Sequence, residues 1–469
     1  MWPVFSKAQV IVWGKPLPTQ KERDLLRKID WFVLSFVCLN YWINYLDRSN
    51  VANAYVSGMQ EDLHMVGNQY NIVNTCFTVG YVVGMIPNNL ILLRVSPRYW
   101  LSICSMSWGL LTLGMYKVHS YQQICVIRFF QGLFEASTFV GTHLILGSWY
   151  TADELAKRTA IFTSSGLMGS LFSSFMQSAI HSTMDGRHGL AGWRWLFIID
   201  FVITVPVCVY GFIFFPGVPE RCTAFYFSEE ERHMAAVRVP APKRTQLDWT
   251  VVRRVFGRWH WWFFSLLWVF GGENVSYASN SLFALWLKYF NYTIAQRNHY
   301  PMGVYGVGIV ATFGSALYID SSGAKNHWRV GVFISSATIV ATILLLVHPF
   351  SPTYVFAAHY ISGVAYAGQT AFFAWANQVC HDDLEERAVV LASMNMFSGA
   401  VNAWWSILFY GADTVPRFRK GCYAMLATTT CCALFCIAIR VLQLREESQK
   451  EIFNAEKLRY DELEGASHE

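Results

Sequence analysis

Ile124-Cys125-Val126-Ile127-Arg128-Phe129-Phe130-Gln131-Gly132-Leu133-Phe134-Glu135-Ala136 is an apolar run that carries a guanidinium and a carboxylate seven residues apart. At membrane depth such charges are costly, and they persist where they face a water-filled cavity, a substrate or each other. On a helix, seven residues place both groups on one face, two turns or about 10 Å apart. That is too far for direct contact, but it suits two groups lining one pathway. The run therefore points to a polytopic transporter rather than to a soluble enzyme.

The rest of the chain agrees. Of 469 residues, 54% are hydrophobic and 14% charged, against about 25% charged in soluble domains. Mean hydropathy is +0.29. The net charge of +5 is spread between apolar runs, so no nucleic-acid partner is expected. The sequence holds no phosphate-binding glycine loop, zinc-ligand spacing or nucleophile elbow. An ATP-driven pump, a metal site, another cofactor and an enzyme are thus not expected, and an ion or substrate gradient must drive transport. The eleven cysteines fall mostly in apolar or cytoplasmic stretches, which argues against a disulfide framework.

Apolar segments near the ~20 residues needed to cross a bilayer lie at 31–50, 70–93, 100–117, 121–146, 159–181 and 193–215, then at 260–288, 301–320, 328–348, 353–380, 388–411 and 420–440. With the N-terminus inside, 26 Lys and Arg fall on the cytoplasmic side and 9 outside, Arg128 being the remaining one. The expectation is an all-α membrane protein of twelve transmembrane helices, with both termini cytoplasmic. Its parts are a tail (1–30), a six-helix bundle (31–215), a linker (216–258), a second six-helix bundle (259–440) and a tail (441–469). Residues 1–30 lack the pattern of a cleavable signal, so the first span is expected to act as the anchor. In the linker, Ser228 and Glu231 form a capping-box pair that starts a short charged helix. An offset of 229 aligns Trp31 with His260, and Glu154–Arg158 with Asp383–Arg387, as in transporters built from two parallel repeats.

Polar residues inside the spans mark the candidate site. Arg128 suits a substrate carboxylate through a bidentate pair, and Glu135 suits a proton. Asn40, Asn44 and Asp47 form one stripe facing the cavity. Asp47 can pair with Arg48 or with another helix. Tyr81 shares a face with Asn74 and Asn88. Glu273, Asn274 and Asn280 interrupt the seventh span after Gly271-Gly272, a place where the helix is expected to loosen; Glu273 is a second proton candidate. Gln369 and Asn395 add polar cavity contacts. His143, His359, Asp200 and Asn402 are weaker candidates, with Arg194 a partner for Asp200. Trp375, Trp404 and Trp405 fit packing better than a pocket. Asn291-Tyr292-Thr293 is a glycosylation sequon in an external loop.

Four stretches carry a resemblance: Asn44-Tyr45-Leu46-Asp47-Arg48-Ser49-Asn50-Val51-Ala52-Asn53-Ala54, Gly67-Asn68-Gln69-Tyr70-Asn71, Arg128 through Ala136, and Gly192-Trp193-Arg194-Trp195-Leu196-Phe197-Ile198-Ile199-Asp200. In order and position they resemble the fungal allantoate/pantothenate permease branch of the anion:cation symporter family, in the major facilitator superfamily. Phe139 through Tyr150 looks most like its pantothenate permeases. The resemblance implies the major facilitator fold and proton-coupled uptake of a small organic anion across the plasma membrane. Arg128 and Gly132 match the superfamily's RxxxG motif. The resemblance also assigns an inner gate to Arg94 and Arg98 after the second span, and to Asp320 and Lys325 in the equivalent loop of the second half. Arg94-Val95-Ser96-Pro97-Arg98 lacks the usual acidic residue, and Ala52 replaces a common glycine.

The expected function is symport of a small carboxylate such as pantothenate with protons, by a chain that works as a monomer in the bilayer. The alternatives are another cargo on the same fold (allantoate, biotin, a nicotinate-like acid, a dipeptide), metabolite export, or a nutrient receptor with little flux. Tails of about 30 residues and a linker of about 43 disfavour the receptor.

Overall fold

A computed structural model describes residues 19–239, 249–279, 281–322, 325–380 and 383–466. Asn280, Gly323, residues 1–18 of the first tail, residues 240–248 of the linker and the last three residues lie outside that range. The described chain is almost entirely helical: α1 (Gln20–Ile29), α2 (Ser35–Ala54), α3 (Gln69–Arg94), α4 (Pro97–Gly114), α5 (Tyr121–Trp149), α6 (Ala152–Met184), α7 (Gly192–Phe214), α8 (Glu229–Arg238), α9 (Trp249–Gly257), α10 (Trp259–Ser279), α11 (Leu282–Tyr289), α12 (Ile294–His299), α13 (Met302–Ser321), α14 (His327–Val347), α15 (Pro352–Ser362), α16 (Ala367–Val379), α17 (Leu384–Phe409) and α18 (Arg419–Ala466). Local chemistry sets many of the starts. Thr151/Glu154 and Ser228/Glu231 close capping boxes, the latter as the sequence indicates. Asp383 accepts from the Glu386 N–H at 3.1 Å, and Pro97 and Pro352 occupy first turns.

Among the described residues, five helical stretches are long and apolar enough to cross a membrane by length and composition. These are Tyr121–Trp149, Gly192–Phe214, Ile294–Ile319, His327–Val347 and Arg419–Ile452. Helix α2 misses that standard because it buries Asn40, Asn44, Asp47, Asn50 and Asn53. Two expectations need correction. The segment 260–288 is not one helix: α10 ends at Ser279, and α11 begins after Ser281, whose φ is +59°. Gly271-Gly272 does not loosen α10, which runs through both. A Cβ at Gly272 would lie 2.0 Å from Ser398 Oγ, so this glycine permits close packing of α10 on α17.

Close helix crossings build each half. Helices α3 and α5 meet through Gly80, Gly84 and Gly132; a Cβ on Gly132 would sit 2.1 Å from the Phe77 carbonyl oxygen. The later helices repeat this, since a Cβ on Gly363 would sit 2.4 Å from the Val304 carbonyl oxygen. Helices α3, α4, α5 and α6 begin 230–233 residues before α13, α14, α15 and α17. Ion pairs pin the linker at the end that carries the termini. Lys28 meets Glu231 at 2.8 Å, Arg158 meets Asp30 at 3.0 Å, and Arg238 meets Glu154. On the other side Arg254 meets Asp383 at 3.1 Å and Glu385 at 2.8 Å, and Arg258 meets Glu386.

Gly132→Leu forces α3 and α5 apart, whereas Gly147, with nothing within 4 Å of its Cβ position, has room. In detergent extracts followed by size-exclusion chromatography, Gly132→Leu should lose the monodisperse peak and Gly147→Leu should keep it. Overpacking of about 1–3 kcal/mol or more is the expected cost.

Candidate functional site

The buried charges gather on α2 and α5, and their pairing differs from the sequence expectation. Arg48 Nε donates to Glu135 Oε2 at 2.9 Å, and Asn44 Nδ2 donates to the same oxygen at 2.8 Å. Asn44 and Arg48 are four residues apart, so one turn of α2 delivers both donors to α5. Glu135 has no exposed surface, and its Oε1 has no partner among the described residues. The Arg48 side chain keeps 28% exposure and lies over the rings of Tyr45, Phe77 and Tyr81, 4.9–5.4 Å from their centroids. Arg128 is 2% exposed and lies 4.2 Å from the Phe77 centroid, with Nη1 donating to Gln131 Oε1 at 3.3 Å. Gln131 in turn donates to Asp47 Oδ2 at 3.2 Å and to Thr112 at 2.7 Å, and Thr112 donates to Asp47 at 2.9 Å. Asp47 is thus tied to α4 and α5, not to its neighbour Arg48.

Asn44, Asp47, Tyr81, Arg128 and Glu135 therefore come together, and Arg48 is the member that the sequence reading left at the span end. Gln369 lies apart from them but shares a cavity with Tyr45, Thr163, Thr312, Tyr366 and Thr370. The cavity measures about 10 Å³, room for about one water. Asn274 turns away, accepting from Thr428 and Thr429 at 3.1 Å each, so it serves α10–α18 packing. Glu273 accepts from Asn402 at 3.3 Å within the second half. Asn395 is half-buried, with an unpartnered Nδ2. Asp200 accepts from Asn50 at 2.6 Å rather than pairing with Arg194, which meets Asp62 at 3.7 Å.

Among the described residues, Arg94, Arg98 and Lys325 form no ion pair between halves. Arg98 donates to the Phe212 and Ile213 carbonyls at 2.9 and 2.7 Å, capping α7, while Arg94 and Lys325 are exposed. Phe139 and Phe373, with ring centroids 6.0 Å apart, meet across the halves toward this end. His260, Cys380 and Glu386 lie close enough to share a metal. However, His260 Nδ1 already faces Glu386 at 2.7 Å, its Nε2 faces Glu446 at 2.9 Å, and Arg258 neutralises Glu386.

The end opposite the termini is closed by a clamp that the sequence did not reveal. Lys288 on α11 meets Glu61 at 2.8 Å and Gln60 at 2.7 Å. Arg297 donates to the Val56 carbonyl at 3.1 Å, and Asn298 donates to Ser57 at 3.0 Å. The chain between α2 and α3 can receive them because it kinks at Ser57-Gly58, where Gly58 has φ +118°. Beside it, Asn71 donates to the Ser406 and Tyr410 carbonyls at 3.3 and 3.1 Å and accepts from the Ala412 N–H at 3.0 Å. Burial by itself would raise the Glu61 pKa, but the hydrogen bond and charge of Lys288 outweigh it and hold the carboxyl below 4.5.

Comparison with known proteins gives one family. Residues 37–406 match the family model described as Major Facilitator Superfamily. The chain is similar to the pantothenate transporter FEN2 of Saccharomyces cerevisiae, 59% identical over 440 residues that cover 92% of this chain and 86% of that one. It is also similar to the pantothenate transporter liz1 of Schizosaccharomyces pombe, 41% identical over 431 residues covering 92% and 84%. Among solved structures, the xylose transporter XylE of E. coli superposes with a TM-score of 0.65 at 12% identity, covering 86% of this chain and 96% of that one.

The lowered Glu61 pKa makes the clamp's ionic contribution complete above the ordinary value of 4.5 and lost as pH falls through the folded value below it. Lys288→Ala or Glu61→Gln removes it at every pH. In an otherwise cysteine-free chain, Leu63→Cys, a buried position beside Glu61 that makes no clamp contact, should react with a membrane-impermeant maleimide about threefold faster once either change is added, in line with the ~0.2–1 kcal/mol of an exposed pair. Compared at the same pH, the chain with the clamp intact should react more slowly than these variants above pH 4.5 and approach their rate only below it.

Proposed function

The chain belongs to the Major Facilitator Superfamily, and from that membership we propose that it takes up pantothenate, a small organic carboxylate, with protons across the plasma membrane. It is a multi-pass membrane transporter and not an enzyme. The observation that carries the coupled reading is the Arg48–Glu135 pair, in which a partly exposed guanidinium is held by a carboxylate with one unpartnered oxygen.

Substrate and Glu135 compete for the same cation. A proton on Glu135 Oε1 neutralises the acid and weakens its hold on Arg48, whose planar fork then accepts the substrate carboxylate. The rings of Tyr45, Phe77 and Tyr81 keep the guanidinium within the cavity wall while it changes partner. Release of the substrate leaves Arg48 unpaired at low dielectric until Glu135 loses its proton and takes it back. Arg128 supplies a fixed positive charge behind this exchange, and Asp47, with Oδ1 unpartnered, is a second proton position in the same cluster. Gln369 and Asn395 contact the neutral part of the substrate. Glu273 and Asn274 stand outside the exchange.

Transport follows from alternating access. Twelve spans form two bundles, 31–215 and 259–440, joined by the linker 216–258, with both termini in the cytosol and the chain acting as a monomer. The helix starts repeated at 230–233 residues and the matched packing of Gly132 and Gly363 support two bundles. A cavity of about 10 Å³ is too small for an organic anion, so substrate entry requires the halves to separate.

Uptake of labelled pantothenate by permease-deficient yeast should be saturable, higher at pH 4.5 than at 7.5, and abolished by a protonophore. Absence of uptake by protein located at the cell surface would discard this cargo. Arg48→Ala should lower uptake at least about 30-fold with surface expression kept, as expected for ~2 kcal/mol or more from truncating a buried pair. Glu135→Gln should bind pantothenate with an affinity independent of pH and fail to accumulate it against a gradient. Accumulation at the normal level would move the proton to Asp47.

A further inference from the structure

Asn291-Tyr292-Thr293 occupies the turn between α11 and α12, at the end opposite the termini. Backbone groups and the Thr293 hydroxyl perform its local duties. Asn291 is the left-handed residue that ends α11, with φ +57°. Its N–H donates to the Lys288 carbonyl at 3.0 Å, and the Tyr292 N–H donates to the Leu287 carbonyl at 3.1 Å, which closes a Schellman motif. Thr293 begins α12 by accepting from the Gln296 N–H at 3.3 Å. None of this uses the Asn291 amide, which is exposed and has no hydrogen bond to a described residue. The residue type suits the left-handed backbone, but the side chain is free for other chemistry.

Two further observations bear on that chemistry. Tyr289 and Phe290, directly before the asparagine, are 55% and 38% exposed on a hairpin outside the spans. Their rings, with centroids 5.2 Å apart, offer an apolar platform of the kind on which the C–H face of a sugar stacks. Asn291 lies in the turn itself, three residues before the apolar stretch Ile294–Ile319, so its exposed amide sits at the membrane's outer edge rather than within a span. Lys288, Arg297, Asn298 and His299 make contacts of this hairpin with the first half, the last by stacking on Phe175, and the Asn291 side chain is not among them.

We propose that Asn291 carries an N-linked oligosaccharide. Its Nδ2 attacks the anomeric carbon of a lipid-pyrophosphate-linked oligosaccharide. The new N–C bond forms as the bond to the pyrophosphate oxygen breaks, and one amide proton is lost to the transferase. No redox partner is needed. The glycan then stands at the rim of the closed end, where it shields the exposed rings. The proposal rests on the orientation given above, in which this end faces the lumen during synthesis and the exterior afterwards.

The test is electrophoretic mobility of the full chain, made in yeast with a C-terminal epitope, before and after endoglycosidase H. A downward shift, absent in Asn291→Asp (which tolerates positive φ) and kept in Thr293→Ser, is expected. Tyr289→Ala should cut the glycosylated fraction by half or more, and pantothenate uptake by Asn291→Asp should equal that of the unaltered chain. Unchanged mobility overturns the proposal. Antibody access to the epitope in unpermeabilised spheroplasts separates the causes. An epitope reached only after permeabilisation leaves the orientation standing and refutes the site alone, and an epitope reached in intact spheroplasts refutes the orientation as well.

Discussion

The arrangement depends on one constraint: a carboxylate at 0% exposure, Glu135, must be compensated inside a helix bundle. Its compensation comes from a single turn of α2, where Asn44 and Arg48 converge on one carboxylate oxygen. That convergence needs α2 and α5 in a fixed rotation. The α3–α5 crossing provides it, because Gly80, Gly84 and Gly132 let the two backbones approach until only one register fits. The glycine of the RxxxG pattern is therefore not a spacer beside the arginine. It sets the surface against which α5 turns Arg128 onto Phe77 and Glu135 toward α2.

Much of this was legible in the sequence. Charge inside apolar runs announced a transporter, and the i, i+3 and i, i+4 stripe on α2 announced a polar face. The 229-residue offset announced repetition, and four helix starts recur at 230–233 residues. Arg48 was passed over because hydropathy ends the first span near residue 50, while the helix runs on to Ala54 and keeps Arg48 within the bundle. The partner of Asp47 could not be read either. Thr112 and Gln131 are 65 and 84 residues away, and only the packing of α2 against α4 and α5 selects them. For the same reason Asn274 resembled a cavity residue: a polar group at span depth looks alike whether it faces a pathway or caps two threonines on α18.

The two ends of the molecule close by different chemistry. The end with the termini is held within each half by ion pairs that anchor the linker, and between halves by apolar contact of Phe139 with Phe373. The opposite end is held between halves by polar contacts of Lys288, Arg297, Asn298 and Asn71, and by an apolar core that joins Tyr55, Val56, Met59 and Tyr70 to Leu282, Phe283, Trp286 and Tyr410. Polar contacts exchange for water at modest net cost, about 0.5–1.5 kcal/mol each. The polar contacts therefore select one arrangement of the apolar core beside them rather than supply most of its cohesion.

The duplication kept the packing and divided the chemistry. Gly363 repeats the close approach of Gly132, but the residue one turn earlier is His359 where the first half has Arg128. His359 lies stacked between Phe283 and Tyr277, at 4.7 and 6.2 Å, with no ion pair among the described residues. Asp47, Arg48, Arg128 and Glu135 all lie in the first half, while the second contributes Thr312, Tyr366, Gln369 and Thr370 to the shared cavity. A substrate with one carboxylate and a neutral polar body matches that division. In the proposed function its charge goes to α2 and α5, where a proton would be exchanged for it, and its hydroxyl and amide groups go to the neutral wall opposite. Moving the charges to both halves would oblige each opening to separate unlike charges at low dielectric, a far larger cost than parting hydroxyls and an amide. Keeping them in one half lets the two bundles move apart while the coupled groups stay together.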